Sequence, residues 1–169
     1  MIVLFPQDFT VASLQDVTPV DHHNLTGGKA LDTLRGVFHY QQFRGCQQES
    51  IHSVLSGQNT LRIMPTGGGK TICYQVPAVM EQKITVVIFP LLALLLDQVE
   101  RLRSRGLNVC YLMSEMAQSE KENIFHKLNL NPPEYNFLFV TPETLSTLTV
   151  FELLRKICSN DLLNFFCYR

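Results

Sequence analysis

The chain has 169 residues, of which 46 % are hydrophobic and 17 % charged, with a formal net charge of −1. This size and balance suit one α/β domain with a real core and exclude a disordered, highly charged chain. A near-neutral chain carries no global basic field for nucleic acid, so any such contact must come from a local surface. The five cysteines (Cys46, Cys73, Cys110, Cys158, Cys167) are odd in number and widely spaced. None has metal-ligand spacing, which reads as reduced thiols in a cytosolic or nuclear protein. The longest apolar run, 86–96, contains Pro90 and is too short to span a bilayer. The apolar residues 1–5 lack the basic flank and length of a signal peptide.

Residues 1–35 are weakly patterned. Pro6, Pro19, His22-His23 and Gly27-Gly28 suggest a loosely ordered lead-in with a solvent-exposed histidine pair. Gly28-Lys29 follows no strand and is not read as a phosphate loop. A domain is expected over 36–169. A helix over 47–56 places Ile51, Val54 and Leu55 on one face, with Gly57 to end it. Residues 60–64 read as a short strand and 71–76 as the start of a helix. The β-branched run 84–89 reads as a strand covered on both faces. Leu92, Leu95, Val99 and Leu102 then keep helical spacing up to Gly106. Residues 109–112 form a short strand. Ser119-Glu120-Lys121-Glu122 predicts a capping box for a helix burying Ile124, Phe125 and Leu128. A strand over 136–140 is followed by Thr141-Pro142-Glu143, a helix over 151–157 and a last strand over 162–168. The alternation predicts a parallel sheet with ligands at the carboxyl ends of its strands.

Residues 64–71, Met-Pro-Thr-Gly-Gly-Gly-Lys-Thr, carry the chemistry. Glycines allow backbone N–H groups to converge on an anion. Lys70 supplies a point charge for the β/γ-phosphates, and the Thr71 hydroxyl can ligate Mg²⁺. Met64 stands where the strict phosphate-loop pattern has glycine. Upstream, Tyr40, Arg44 and Gln47 can stack on a purine or pair with an adenine edge, since a glutamine amide both donates and accepts.

Taken together these stretches resemble the first motor domain of RecQ-family DNA helicases. Phe43-Arg44-x-x-Gln47 is similar to that family's adenine-recognition motif, and Met64 through Thr71 to its motif I. Cys73-Tyr74-Gln75-x-Pro77 resembles the following helix. Val87 through Leu91, on to Asp97-Gln98, resembles motif Ia. Val140-Thr141-Pro142-Glu143 resembles motif Ib, in the form closest to the Bloom-type branch. The resemblance covers about 36–168. It implies a RecA-like P-loop NTPase domain with a mostly parallel sheet, and an ATP- and Mg²⁺-dependent enzyme translocating 3′ to 5′ on single-stranded DNA and unwinding duplexes in repair and recombination. Carried over, Tyr40, Arg44 and Gln47 hold adenine. Thr66, Gly67, Gly68, Gly69, Lys70 and Thr71 hold phosphates and metal, with Lys70 and Thr71 catalytic. Pro90, Thr141 and Pro142 contact DNA. Single-stranded or branched DNA, protein partners of RecQ-type repair complexes and a nuclear location are further implications.

The chain also departs from that pattern. Phe89 and Ala93 stand where motif Ia carries serines, so core packing competes with DNA contact for 89–96. Arg101, Arg103 and Arg105 read either as a basic strip or as solvated charges in a helix's last turn. The family's Asp-Glu-Ala-His should follow the last strand, and the sequence reaches Arg169 about there. The expected domain is therefore truncated before that motif, binds ATP weakly and does not hydrolyse it, with marginal stability and exposed apolar surface. Two other classes remain: a non-catalytic nucleotide-binding or partner-regulating short form, and another P-loop enzyme such as a nucleotide kinase.

Overall fold

A computed structural model describes residues 1–4 and 25–168. The expectation for His22-His23 and the surrounding residues lies outside these. One six-stranded sheet runs in the order β2-β1-β6-β3-β5-β4. Its strands are β1 (Ile2–Leu4), β2 (Thr60–Leu61), β3 (Ile84–Ile88), β4 (Val109–Leu112), β5 (Phe137–Val140) and β6 (Leu163–Tyr168). β6, β3, β5 and β4 pair in parallel. β1 is antiparallel to both β2 and β6 and lies between them. The phosphate-loop strand β2 therefore joins the parallel body only through β1, a contribution from residues that the sequence alone left without structure.

Period-two alternation of side chains divides the core. Val87, Phe89, Phe137, Phe139, Phe165 and Cys167 face one layer of helices: α1 (Leu25–Phe38), α2 (Gln47–Leu55), α3 (Lys70–Met80) and α4 (Leu92–Arg103). Val86, Leu112, Leu138, Val140 and Phe166 face α5 (Gln118–Leu128) and α7 (Leu148–Ser159). Covering on both faces explains why β5 is apolar throughout and why β3 is apolar except for the buried Thr85. Each buried Phe or Leu contributes roughly 1.5–3 kcal/mol by leaving water.

Several expectations need correction. Residues 25–35 belong to α1, which crosses the anticipated boundary at 35/36 and buries Ala30, Leu34 and Phe38 at four-residue spacing. Gly27 and Gly28 lie within this helix, and a Cβ on either would meet nothing within 4 Å. β2 ends at Leu61 rather than at residue 64. Leu92 is exposed, so the buried face of α4 consists of Leu95, Val99 and Leu102. No capping box forms at α5. Its N-cap is Ala117, which puts Ser119 inside the first turn, and the Gln118 side chain instead donates to Glu122 at 3.0 Å. The four-residue helix α6 (Pro142–Leu145) precedes α7. Exposed apolar side chains concentrate at the loop end of β2, where Ile63 is 91 % exposed, and at the start of α4. Among the described residues no helix is long and apolar enough to cross a membrane.

Candidate nucleotide-binding site

The phosphate loop leaves β2 and enters α3. Gly67 and Gly69 have φ of +80° and +75°, where a Cβ is disfavoured. Gly68 is constrained differently: its N–H donates to the Pro65 carbonyl at 3.0 Å, and a Cβ there would come 3.0 Å from the same oxygen. Gly69 is the N-cap of α3, and a Cβ on it would overlap the side-chain nitrogen of Gln47. The first-turn N–H groups of α3 present partial positive charge, with no acidic residue in that turn. Lys70 opens the helix, and its Nζ donates to the carbonyls of Met64 (2.7 Å) and Pro65 (2.8 Å). Thr71 follows, half-buried, and Thr66 is exposed at the loop tip.

The side expected to hold adenine is built from the end of α1. His39 takes φ +60°, and the Tyr40 N–H reaches back to the Leu34 carbonyl at 3.3 Å, the reversal that commonly ends helices. Arg35 Nε holds the Gln41 carbonyl at 3.0 Å. Tyr40, Arg44 and Gln47 then line one cavity of about 130 Å³ with Gly67 and Gly69. The three side chains chosen from sequence and two of the loop glycines are thus brought together. Leu34, Gln42 and Ile72 also line it and were missed. The periodicity of Ala30, Leu34 and Phe38 was the available signal for the first. Gln47 is only 4 % exposed. Its Oε1 accepts the Arg44 N–H at 2.8 Å, and its Nε2 donates to the Gly69 carbonyl at 3.0 Å. An N–H on one side and a C=O on the other fix which way the amide points.

The residues assigned to DNA lie along the same carboxyl edge. Pro90 follows β3, and Thr141-Pro142 follow β5, which pairs with β3 in the register Ile88↔Val140. Pro90 is exposed; Thr141 and Pro142 are half-buried. β3 and β5 stand three and four strand positions from β2, roughly 14 and 19 Å at the usual spacing. The Thr141 hydroxyl caps α6, accepting the Thr144 N–H at 3.3 Å and sharing a 3.1 Å bond with the Thr144 hydroxyl. Glu143 lies in the same turn. Its own backbone N–H, and then the Thr141 hydroxyl, hold its carboxyl below the usual range.

Phe89 is 1 % exposed with its ring 5.3 Å from that of Phe139, so it belongs to the core. Ala93 is exposed between Leu92 and Leu94, a surface without hydroxyls. The three arginines are exposed at and just after the end of α4, and each is engaged locally. Arg101 pairs with Asp97 at 2.9 Å, Arg103 donates to the Val109 carbonyl at 2.9 Å beside Tyr111, and Arg105 lies over Phe38. Among the described residues no group of three or more His, Cys, Asp or Glu side chains could hold a metal ion.

Residues 44–163 match the family model for the DEAD/DEAH box helicase domain. The chain is 41 % identical over 131 residues to the ATP-dependent DNA helicase RecQ of Bacillus subtilis, an alignment covering 76 % of this chain and 22 % of the relative. It is 39 % identical over 115 residues to the RecQ-like DNA helicase blm-1 of Caenorhabditis elegans, covering 68 % of this chain and 12 % of that one. It thus spans less than a quarter of the length of either relative. Among solved structures, the DUF1998 helicase MrfA bound to DNA aligns with a TM-score of 0.63 at 16 % identity, over 80 % of this chain and 20 % of that one. This likeness supports the RecA-like fold. The family match sets aside the nucleotide-kinase alternative.

Proposed function

The chain belongs to the DEAD/DEAH box helicase family, and on that premise we propose that it is the nucleotide-binding part of a RecQ-type, ATP-dependent DNA helicase. The observation that carries this reading is the single cavity in which Tyr40, Arg44 and Gln47 meet Gly67 and Gly69, beside Lys70 and Thr71. A purine stacks against Tyr40 or the Arg44 guanidinium and pairs with the Gln47 amide. The triphosphate lies along Thr66–Thr71 over the N-terminus of α3, with Lys70 on its outer phosphates.

Mg²⁺ fits this donor set. It needs few protein ligands and keeps waters and phosphate oxygens, so the Thr71 hydroxyl is a sufficient contribution from this segment. Once bound, the ion neutralises charge on the β- and γ-phosphates.

In the reading proposed, Pro90, Thr141 and Pro142 contact single-stranded or branched DNA, with movement 3′ to 5′ and a nuclear role in repair and recombination alongside protein partners. Apart from Pro90, the start of α4 offers DNA a leucine-rich surface, so the second contact, at Thr141, carries more of this part.

A second reading is favoured by where the carboxylates lie. Asp161 pairs with Lys83 at 2.7 Å, at the amino ends of β6 and β3. Glu152 is exposed on α7, and Glu143 follows β5, four strand positions from β2. These three described carboxylates are thus set apart from the strand that feeds the phosphate loop. In this second reading the chain by itself holds ATP weakly without turning it over, and acts as a nucleotide-binding or partner-regulating module.

Titrating the chain with fluorescent ATP·Mg²⁺, with Lys70→Ala as control, tests the first reading. Saturable binding lost in the variant is expected. Equal behaviour of the two proteins would overturn it. Robust DNA-stimulated ATP turnover by this chain would overturn the second reading.

A further inference from the structure

The connection from α5 to β5 contains Pro132-Pro133-Glu134-Tyr135, and neither the sheet nor the nucleotide cavity uses it. The Asn129 N–H reaches the Phe125 carbonyl and the Glu134 N–H the Lys127 carbonyl, both at 3.2 Å. Between those two ties, Leu130, Asn131, Pro132 and Pro133 make no hydrogen bond among the described residues. Pro132 and Glu134 are exposed; Pro133 and Tyr135 are half-buried. The Pro132 ring fixes its own φ, and the proline after it excludes the helical region. Pro132 is therefore preset to the polyproline II conformation, in which residues three apart, such as Pro132 and Tyr135, share one side. Tyr135 is covered on one flank. The Lys127 ammonium stands 5.6 Å from the centre of its ring and 2.7 Å from the Glu134 carboxylate.

We propose that Pro132-Pro133-Glu134-Tyr135 is a docking segment for a small partner domain of the WW type, with Lys127 as a clasp over its tyrosine. A WW domain grips prolines in polyproline II form between the aromatic rings of a shallow groove. Tyr135 adds an apolar ring with a hydroxyl at its tip, suited to a half-wet pocket beside that groove. SH3 domains, which take Pro-x-x-Pro, are not matched, because Tyr135 stands where their second proline is required.

Docking turns Tyr135 out of its seat and so breaks its contact with Lys127. An exposed cation–π contact and a surface ion pair are each weak, so the clasp lowers the affinity of the folded chain without closing the segment. The segment enters β5 at its amino end, whereas the phosphate loop leaves β2 at its carboxyl end. The two strands run in the same direction, so a docked domain leaves the nucleotide cavity open. The docking segment holds whether or not the chain binds nucleotide.

The experiment is calorimetric titration of a purified WW domain selective for Pro-Pro-x-Tyr. Its ligands are a synthetic peptide of residues 129–137, the wild-type chain, and the chain carrying Pro132→Ala, Tyr135→Ala or Lys127→Ala. Tyr135 packs against the α5/α7 side of the core, so melting curves establish whether its variant is folded. Pro132 is exposed, and its variant carries the test if Tyr135→Ala unfolds. The expected result is saturable binding of the peptide and weaker binding of the wild-type chain. Lys127→Ala then gains roughly two- to ten-fold in affinity, and Pro132→Ala loses binding. Binding of the peptide but of neither the wild-type chain nor Lys127→Ala would overturn the proposal, because the fold then withholds the tyrosine. A peptide that does not bind, or equal binding of the wild-type and Pro132→Ala chains, would overturn it too. Wild-type affinity in Lys127→Ala would overturn the clasp.

Discussion

Gly69 and Gln47, twenty-two residues apart, are in such close contact that a methyl group on the glycine would overlap the amide nitrogen of the glutamine. The glycine also has φ +75°, so a side chain there would strain the backbone and push the Gln47 amide aside. Gly69→Ala should cost at least about 1–2 kcal/mol for the left-handed backbone alone, and displacing Gln47 should disturb the base cavity as well. Urea denaturation should show the lost stability, and fluorescent ATP titration a parallel loss of binding. A variant with wild-type stability and affinity would contradict the contact.

Lys70 should behave in the opposite way. Among the described residues its ammonium bonds only to its own loop, so Lys70→Ala should shift the urea midpoint little. A charge-assisted bond to phosphate contributes about 1.5–3 kcal/mol, so ATP affinity should fall roughly ten- to hundred-fold. Titration and denaturation of the same preparation separate the two effects.

Phe139 tests the core. Its ring lies 5.3 Å from Phe89 and 6.2 Å, edge-on, from Phe137. Phe139→Ala should remove about 3–5 kcal/mol, a large part of the ~5–15 kcal/mol that small domains possess. The variant should melt far below the wild-type chain or fail to fold. A shift of only one or two degrees would mean that this layer is not packed as described.

The thiols give a pH prediction and a map of access. Burial is the main cause raising Cys73 and Cys110 above the ordinary thiol value of 9.0. Above about pH 9 the folded chain therefore holds protons that the unfolded chain releases. Stability contributed by these groups is full below pH 9 and falls as pH rises past it. Cys110→Ala should flatten that alkaline decline, as measured by urea midpoints between pH 8 and pH 10.5. At pH 8 a thiol reagent should modify exposed Cys158 first and half-buried Cys46 more slowly, and reach Cys73, Cys110 and Cys167 only on unfolding.

Much of the architecture was legible because each segment carries its own pattern. β3 is a β-branched run and β5 an apolar one, as a doubly covered strand requires, and the buried positions of α2 and of the later turns of α4 keep helical spacing. α1 was hidden because two glycines at 27 and 28 read as a break, although its buried side keeps the four-residue spacing of Ala30, Leu34 and Phe38. The edge of α5 was misplaced because helix starts depend on backbone geometry at Ala117 as much as on a capping side chain. Leu92 keeps the helical spacing yet is exposed, because spacing marks a face but not where the neighbouring layer stops.

The sequence by itself determined the phosphate loop, since glycines before Lys-Thr between a strand and a helix are a local requirement of anion binding. It also singled out Tyr40, Arg44 and Gln47, the side chains proposed to hold a purine. Only the tertiary structure decided that residues 2–4 form the strand joining β2 to the parallel body, because strand pairing is a long-range choice that short, pattern-poor segments do not encode. Only it placed Phe89 in the core and the Thr141 hydroxyl on a helix cap. The join between Gln47 and Gly69 was likewise unreadable in advance, because it depends on α2 and α3 packing side by side, which no single segment specifies.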